Sequence, residues 1–258
     1  MTGYIIIAIV ALIGSGLTLF SGFGLGTILL PVFGVFFPIE IAVALTGIVH
    51  FLNNIFKFFL IGKSADKKVL LKFGIPSVMA SFAGAVLLDR LSHLRPLLKY
   101  HLLGNEIEVL PLKFIIAMLL LFFALYEFIP KLRALQFDEK YLALGGLLSG
   151  FFGGLSGNQG VLRSAFLIRA KLSKESYIAT GVVLACFIDI TRLSVYFNRF
   201  SNVKNKIDLS LLIIASLAAF IGAFIGNKLM KKVTLHSIQV LVSILIIIFS
   251  ILLAFGII

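Results

Sequence analysis

No charged residue occurs between Met1 and Ile39. As one helix those residues would run roughly 58 Å, about twice the ~30 Å hydrocarbon layer of a bilayer. Such a stretch has to turn back or break inside the membrane. Gly14, Gly16, Gly22, Gly24, Gly26 and Pro31 are the places where it can. A span at about 3–20 is expected, followed by a broken or re-entrant piece at 21–37. A second break of the same character is the run Gly153–Ser164, GGLSGNQGVLRS. Both breaks sit in segments too apolar for loops in water.

The remaining chain repeats the theme. Apolar runs of about 20 residues recur throughout, the pattern of a helical membrane protein. The composition is 60% hydrophobic and 13% charged, against roughly a quarter charged in soluble domains. No polar stretch is long enough for a separate soluble domain, so 1–258 reads as one integral membrane domain. Further spans are expected at 39–61, 69–88 and 114–130, from Tyr141 into the second break, and at 175–197, 208–229 and 237–257. Ser92–Lys113 is the longest polar connection. The fold class is therefore all-α and polytopic, with about eight transmembrane helices and both ends on one side. With that count each face carries ten Lys and Arg, so the positive-inside rule gives no orientation.

The net charge of +12 does not indicate nucleic acid, because most Lys and Arg stand at the ends of apolar runs, where they snorkel to headgroups. The single Cys186 excludes an internal disulfide. The start, MTGYIIIAIVALIGSGL, lacks a basic n-region and a small-residue cleavage site and is read as a retained span. No metal-ligand cluster, Ser-His-Asp set, P-loop or redox-cofactor motif is present, so an enzyme and a cofactor are not expected.

Sliding the chain against itself brings Gly26, Thr46 and Gly47 onto Gly160, Thr180 and Gly181 at an offset of 134. Further on the offset becomes 138, and Gly84-Ala85 meets Gly222-Ala223. Two four-span repeats follow, about 1–130 and 135–258. An even number of spans per half implies parallel halves, and an odd number would invert them. Paired interruptions in repeated halves point to the binding site of a secondary transporter.

Five groups of residues could carry chemistry. Gly22, Gly24 and Gly26 serve either close helix packing or an opened backbone whose amides face an anion. Gly157, Asn158, Gln159 and Gly160, with Arg163, put two amides and a guanidinium in an apolar unit, so they should face protein or water. Arg163 has no carboxylate close in sequence. It suits a mobile oxyanion or snorkels to the interface. Asp189 and Arg192, spaced i, i+3, either satisfy each other or put a proton carrier beside a substrate contact. Thr46, His50, Asn53 and Asn54, continued by Lys57, make one polar helix face. His50 there is an interhelical hydrogen-bonding residue or a proton relay. Cys186 is read as a small buried residue.

At these residues the chain resembles the sulfite exporter TauE/SafE family of membrane permeases. Gly22, Gly24, Gly26 and Pro31 fit that family's early glycine-rich run, with Leu25 in place of one glycine. In the second copy Asn158-Gln159 replace glycines, and Ala165 stands where Pro is usual. The resemblance implies a permease of the prokaryotic plasma membrane for small sulfur-containing or organic anions such as sulfite, thiosulfate or sulfonates. The expected partners are that anion and membrane lipid. The expected substrate contacts are Gly22, Gly24, Gly26, Thr46, Asn53, Asn54, Gly157, Asn158, Gln159, Gly160, Arg163 and Arg192, with His50 and Asp189 as proton-coupling candidates. An anion channel and an intramembrane enzyme or assembly partner are the competing readings.

Overall fold

In the computed structural model, residues 2–18, 24–102, 104–199, 208–229 and 236–258 are described. The first apolar stretch does break. Helix α1 (Thr2–Leu17) is followed by α2 (Leu25–Phe36), which packs back along it. A Cβ on Gly3 would meet the Phe36 ring at 3.3 Å, and one on Gly14 would meet Leu25 and Ile28 at 3.3 Å. Both arms thus point their free ends to the same end of the bundle. Pro31, one of the expected break points, lies inside α2 and is buried there.

Pro38 sets an extended entry to α3 (Ile39–Ile61), which runs to the opposite end. There α4 (Lys67–Val69), capped by the Asp66 carboxylate accepting from the Val69 amide at 2.8 Å, continues through one widened turn at Leu70–Gly74 into α5 (Ile75–Ser92). The long polar connection carries an antiparallel hairpin of β1 (Leu98–Leu102) and β2 (Asn105–Val109). Lys99 pairs with Glu108 across it. Pro111 opens α6 (Pro111–Phe128), and Pro130 opens the single turn α7 (Pro130–Arg133).

The second break has the form of the first. Helix α8 (Leu142–Ser156) ends at Gly157, whose φ of 81° closes the helix in the left-handed region. Then α9 (Gly160–Leu167) returns along α8. The Ser149 hydroxyl donates to the Gln159 carbonyl at 3.0 Å, and a Cβ on Gly145 would collide with the Phe166 ring. Helices α10 (Lys174–Arg199), α11 (Leu209–Leu229) and α12 (His236–Ala254) complete the chain.

Five of the described helical segments are long and apolar enough to cross a membrane: Ile39–Ser64, Lys67–Ser92, Pro111–Phe128, Lys174–Phe197 and Leu209–Gly226. The segments expected as the first and fifth spans stop short, at Leu17 and Ser156, because each turns back at its glycine-rich break. Ile5, Phe59, Met79, Leu217 and Ile248 expose apolar side chains outward, as a lipid-facing surface requires.

Small residues let the helices approach closely. On α8, Gly146, Gly150 and Gly154 lie against Phe73, Ser77 and Ser81, where an added Cβ would stand 2.1–2.2 Å from a backbone oxygen. The pair α1–α11 shows the same seam, with Gly222 on Leu12 and Gly226 on Gly16. At the end of the bundle where α8 begins, the Glu139 carboxylate lies 3.2 Å from the Lys68 ammonium and 3.4 Å from that of Lys72. Those hydrogen bonds and charges hold it below the usual carboxylate range.

Candidate functional site

The two hairpins enter from opposite ends and their tips touch. A Cβ on Gly26 would stand 3.2 Å from the Gly157 carbonyl oxygen and 3.7 Å from Thr46 Cγ2. Behind this contact α10 runs antiparallel to α3, so that His50 faces Asp189 and Gly47 faces Arg192. The Thr-Gly pairs that align in the repeat therefore have like surroundings. A Cβ on Gly47 would lie 3.3 Å from the Arg192 guanidinium carbon, and one on Gly181 would lie 3.4 Å from Arg163 Nε.

Arg192 is fully buried, as is Asp189. Its Nε donates to Asp189 Oδ1 at 2.9 Å, and Nη2 lies 2.8 Å from the same oxygen. The other carboxylate oxygen, Oδ2, is 2.6 Å from His50 Nδ1. Nη1 is wedged beneath the second tip, 2.6 Å from where a Gly157 Cβ would be. The expected i, i+3 ion pair is present, and it holds a histidine as well.

On one side of this floor lies a cavity of about 380 Å³, within the range of small-molecule sites. Gly24, His50, Asn53, Asn54, Lys57 and Arg163 line its depth, and Tyr177, Ile168, Arg133 and Leu135 line its outer part. It therefore opens toward the end where α3 and α6 finish and α10 begins. Lys57, 5% exposed, reaches Thr18 Oγ1 at 3.4 Å. With the Asn53 amide turned to satisfy its neighbours, its oxygen also accepts from Lys57 Nζ at 3.1 Å and its nitrogen donates to Ser15 Oγ at 3.0 Å. Arg163 Nη1 reaches only Gln159 Oε1, at 3.4 Å. Neither cation forms an ion pair among the described residues.

Of the residues singled out from the sequence, Gly24, Asn53, Asn54, Arg163 and His50 line the cavity. Gly26, Thr46 and Gly157 meet at the tip contact below it, Asn158, Gln159 and Gly160 belong to the second tip, and Asp189 and Arg192 lie behind. Gly22 lies outside the described residues. The tip zone is rich in buried polar atoms without hydrogen-bond partners: Thr27 Oγ1, Thr46 Oγ1, both amide atoms of Asn158, and Gln159 Nε2. Buried amides and hydroxyls are nearly always bonded in folded proteins, so a concentration of free ones sets the tip zone apart from the packed seams. Lys57, Thr18, Thr27 and Tyr177 are not among the sequence-derived contacts. For Lys57 the signal was there, one helical turn beyond Asn53 on the same polar face.

The family model described as sulfite exporter TauE/SafE matches residues 6–253. No curated protein and no solved structure matches the chain.

Proposed function

The chain belongs to the sulfite exporter TauE/SafE family and is a multi-pass membrane transporter, and on that premise we propose that it carries a small sulfur-containing or organic anion through the cavity between its two broken hairpins. One observation carries this reading: Lys57 and Arg163, two cations that form no ion pair among the described residues, share a cavity of about 380 Å³ that Glu127 and Arg133 also line and whose floor is the tip contact. A buried cation left without a counter-ion is costly. An oxyanion supplies that charge, with Arg163 offering a planar fork of donors and Lys57 a point charge. Asn53 and Asn54 add polar contacts, and the free groups of Thr46, Asn158 and Gln159 await the anion as it passes the tips.

The two halves are read as inverted repeats. Each begins with a hairpin that turns back and continues with three crossing helices, α3, α4–α5 and α6 in the first half and α10, α11 and α12 in the second. Three crossings per half, in place of the expected four, reverse the second half relative to the first. The glycines aligned in sequence support this, since Gly84 sits against the Phe151 carbonyl in α8 and Gly222 against the Leu12 carbonyl in α1. Alternating access then moves one hairpin while the other holds.

The new topology redistributes the basic connections. Among the described residues, segments 62–74, 129–141 and 168–174 and the end of α11 at Lys228 fall on the face to which the cavity opens and hold eleven Lys and Arg. Segments 90–102 and 104–113 and the end of α10 at Arg199 fall on the other and hold five. By the positive-inside rule the cavity opens to the cytoplasm.

The test is exchange of labelled sulfite, thiosulfate and a taurine-like sulfonate in proteoliposomes. Replacing Arg163 with Ala abolishes exchange in protein that still elutes as a folded species. Unchanged exchange in that variant removes Arg163 from the site and with it this account of the cavity.

A further inference from the structure

His50 is the cavity-lining residue with a second function written into its surroundings. Its Nδ1 faces Asp189 Oδ2 at 2.6 Å, and Asp189 is fixed on its other oxygen by Arg192. A carboxylate already committed to a guanidinium accepts a hydrogen bond and does not donate one. Nδ1 therefore carries the hydrogen, which leaves the lone pair of neutral His50 on Nε2. That nitrogen is directed toward the first break, 3.8 Å from where a Gly24 Cβ would be, at the inner end of the cavity. Asn54 Nδ2, which donates to the His50 carbonyl at 2.9 Å, lies 3.2 Å from it.

The charges that face this imidazole come from three helices. Helix α10 brings Asp189 and Arg192, α9 brings Arg163, and α3 itself brings Lys57 seven residues, about two turns, further along, while Glu127 of α6 and Arg133 of α7 line the same cavity. The Asp189 carboxylate is neutralised by Arg192, so the remaining charge acting on the ring is that of Arg163, with Lys57 beyond it in the same cavity, both positive. A proton on His50 is a further positive charge in the same hollow, and like charges at short range in a low-dielectric site repel strongly. An anion seated between Lys57 and Arg163 reverses that sign. By linkage, the anion raises the proton affinity of His50, and a protonated His50 raises the affinity for the anion by the same factor.

We propose that His50 is the proton carrier of this transporter and that proton and anion are translocated together, one proton per anion, with Asp189 and Arg192 as positioning residues that hold the ring and never exchange the proton themselves. The proposal rests on the anion reading of the cavity and names the coupling that reading leaves open. In each cycle the Nε2 lone pair takes a proton from the side on which the anion enters, and gives it up on the other side when the anion departs. No other bond is made or broken.

The experiment uses the full chain in proteoliposomes loaded with a fluorescent pH indicator, with potassium and valinomycin on both sides. Labelled thiosulfate is offered with and without an inward-directed proton gradient. The wild type accumulates the label about tenfold per pH unit of gradient, since one unit is one decade per proton, and the lumen acidifies as it does so. His50→Gln loses both accumulation and acidification, while exchange of labelled for unlabelled thiosulfate continues at a reduced rate. Wild-type accumulation that ignores the gradient overturns the proposal, and so does gradient-driven accumulation by His50→Gln. The lumenal acidification of the wild type is decisive even where the variant fails to fold. If the wild type exchanges none of sulfite, thiosulfate and a sulfonate, the anion reading itself has failed, a result distinct from exchange that carries no protons.

Discussion

Lys57 gives the sharpest single-residue test. An ammonium 5% exposed, held by a 3.4 Å contact to Thr18 and an amide oxygen, is poorly compensated for its lost hydration. A purely structural lysine would not be placed this way. Lys57→Met should therefore abolish or severely weaken anion exchange while leaving the thermal midpoint in detergent unchanged or raised. A fall in stability with transport intact would show that the lysine serves the fold. Gly157 makes the opposite case. At φ 81° a side chain costs roughly 1–2 kcal/mol, and its Cβ would also push on Arg192 Nη1. Gly157→Ala should lower the thermal midpoint and slow exchange together, checked by unfolding and flux on one preparation. Some of this was legible in the sequence and some was not. The i, i+3 spacing announces the Asp189–Arg192 pair, because both residues lie on one helix. His50 and Asp189 are 139 positions apart, and no local pattern joins them. Their meeting depends on α3 and α10 running antiparallel past the tips.

The elements that matter most are the two hairpins and the seams on which they lean. The breaks could be read from the sequence, since no helix the length of 1–39 fits a bilayer and glycine marks where it fails. What could not be read was that α1 and α8 turn back rather than cross, because a 16-residue apolar helix has the composition of a span whichever way its successor goes. That one ambiguity is what separates the expected four spans per half from the three proposed above. The glycines that settle the packing look unremarkable in sequence. A Cβ on Gly222 would stand 1.9 Å from the Leu12 carbonyl oxygen, and backbone cannot give way as a side chain can. Gly222→Ala should force α1 and α11 apart and destabilise the protein by about 1–3 kcal/mol, read as a lowered thermal midpoint. An unchanged midpoint would mean that the seam is looser than drawn.

For the molecule as a whole, the proposed three-crossing reading turns an uninformative count of ten basic residues per face into eleven against five among the described residues. A cysteine at Ser164, in the cavity wall, should then react with a membrane-impermeant maleimide in inverted vesicles and not in right-side-out cells, and thiosulfate should slow the reaction. Labelling from the outside alone would reverse the orientation. The composition sufficed to identify a polytopic bundle, and the glycine motifs sufficed for the family. Sidedness needed the path of the chain, which is a property of neither.

The depth of the cavity has an electrical consequence. His50 stands midway along α3, with about 16 Å of helix between it and either end. If the cavity opens to the cytoplasm as proposed, water at that depth would bring the cytoplasmic voltage with it, and the membrane potential would fall across the closed half alone. The field there is about twice that in a uniform 30 Å slab. An anion on the cavity floor has not yet crossed any of that potential, and the next conformational step carries it through all of it, at about 2.3 kcal/mol per net charge for 100 mV. A univalent anion travelling with one proton crosses as a neutral pair and feels none of it.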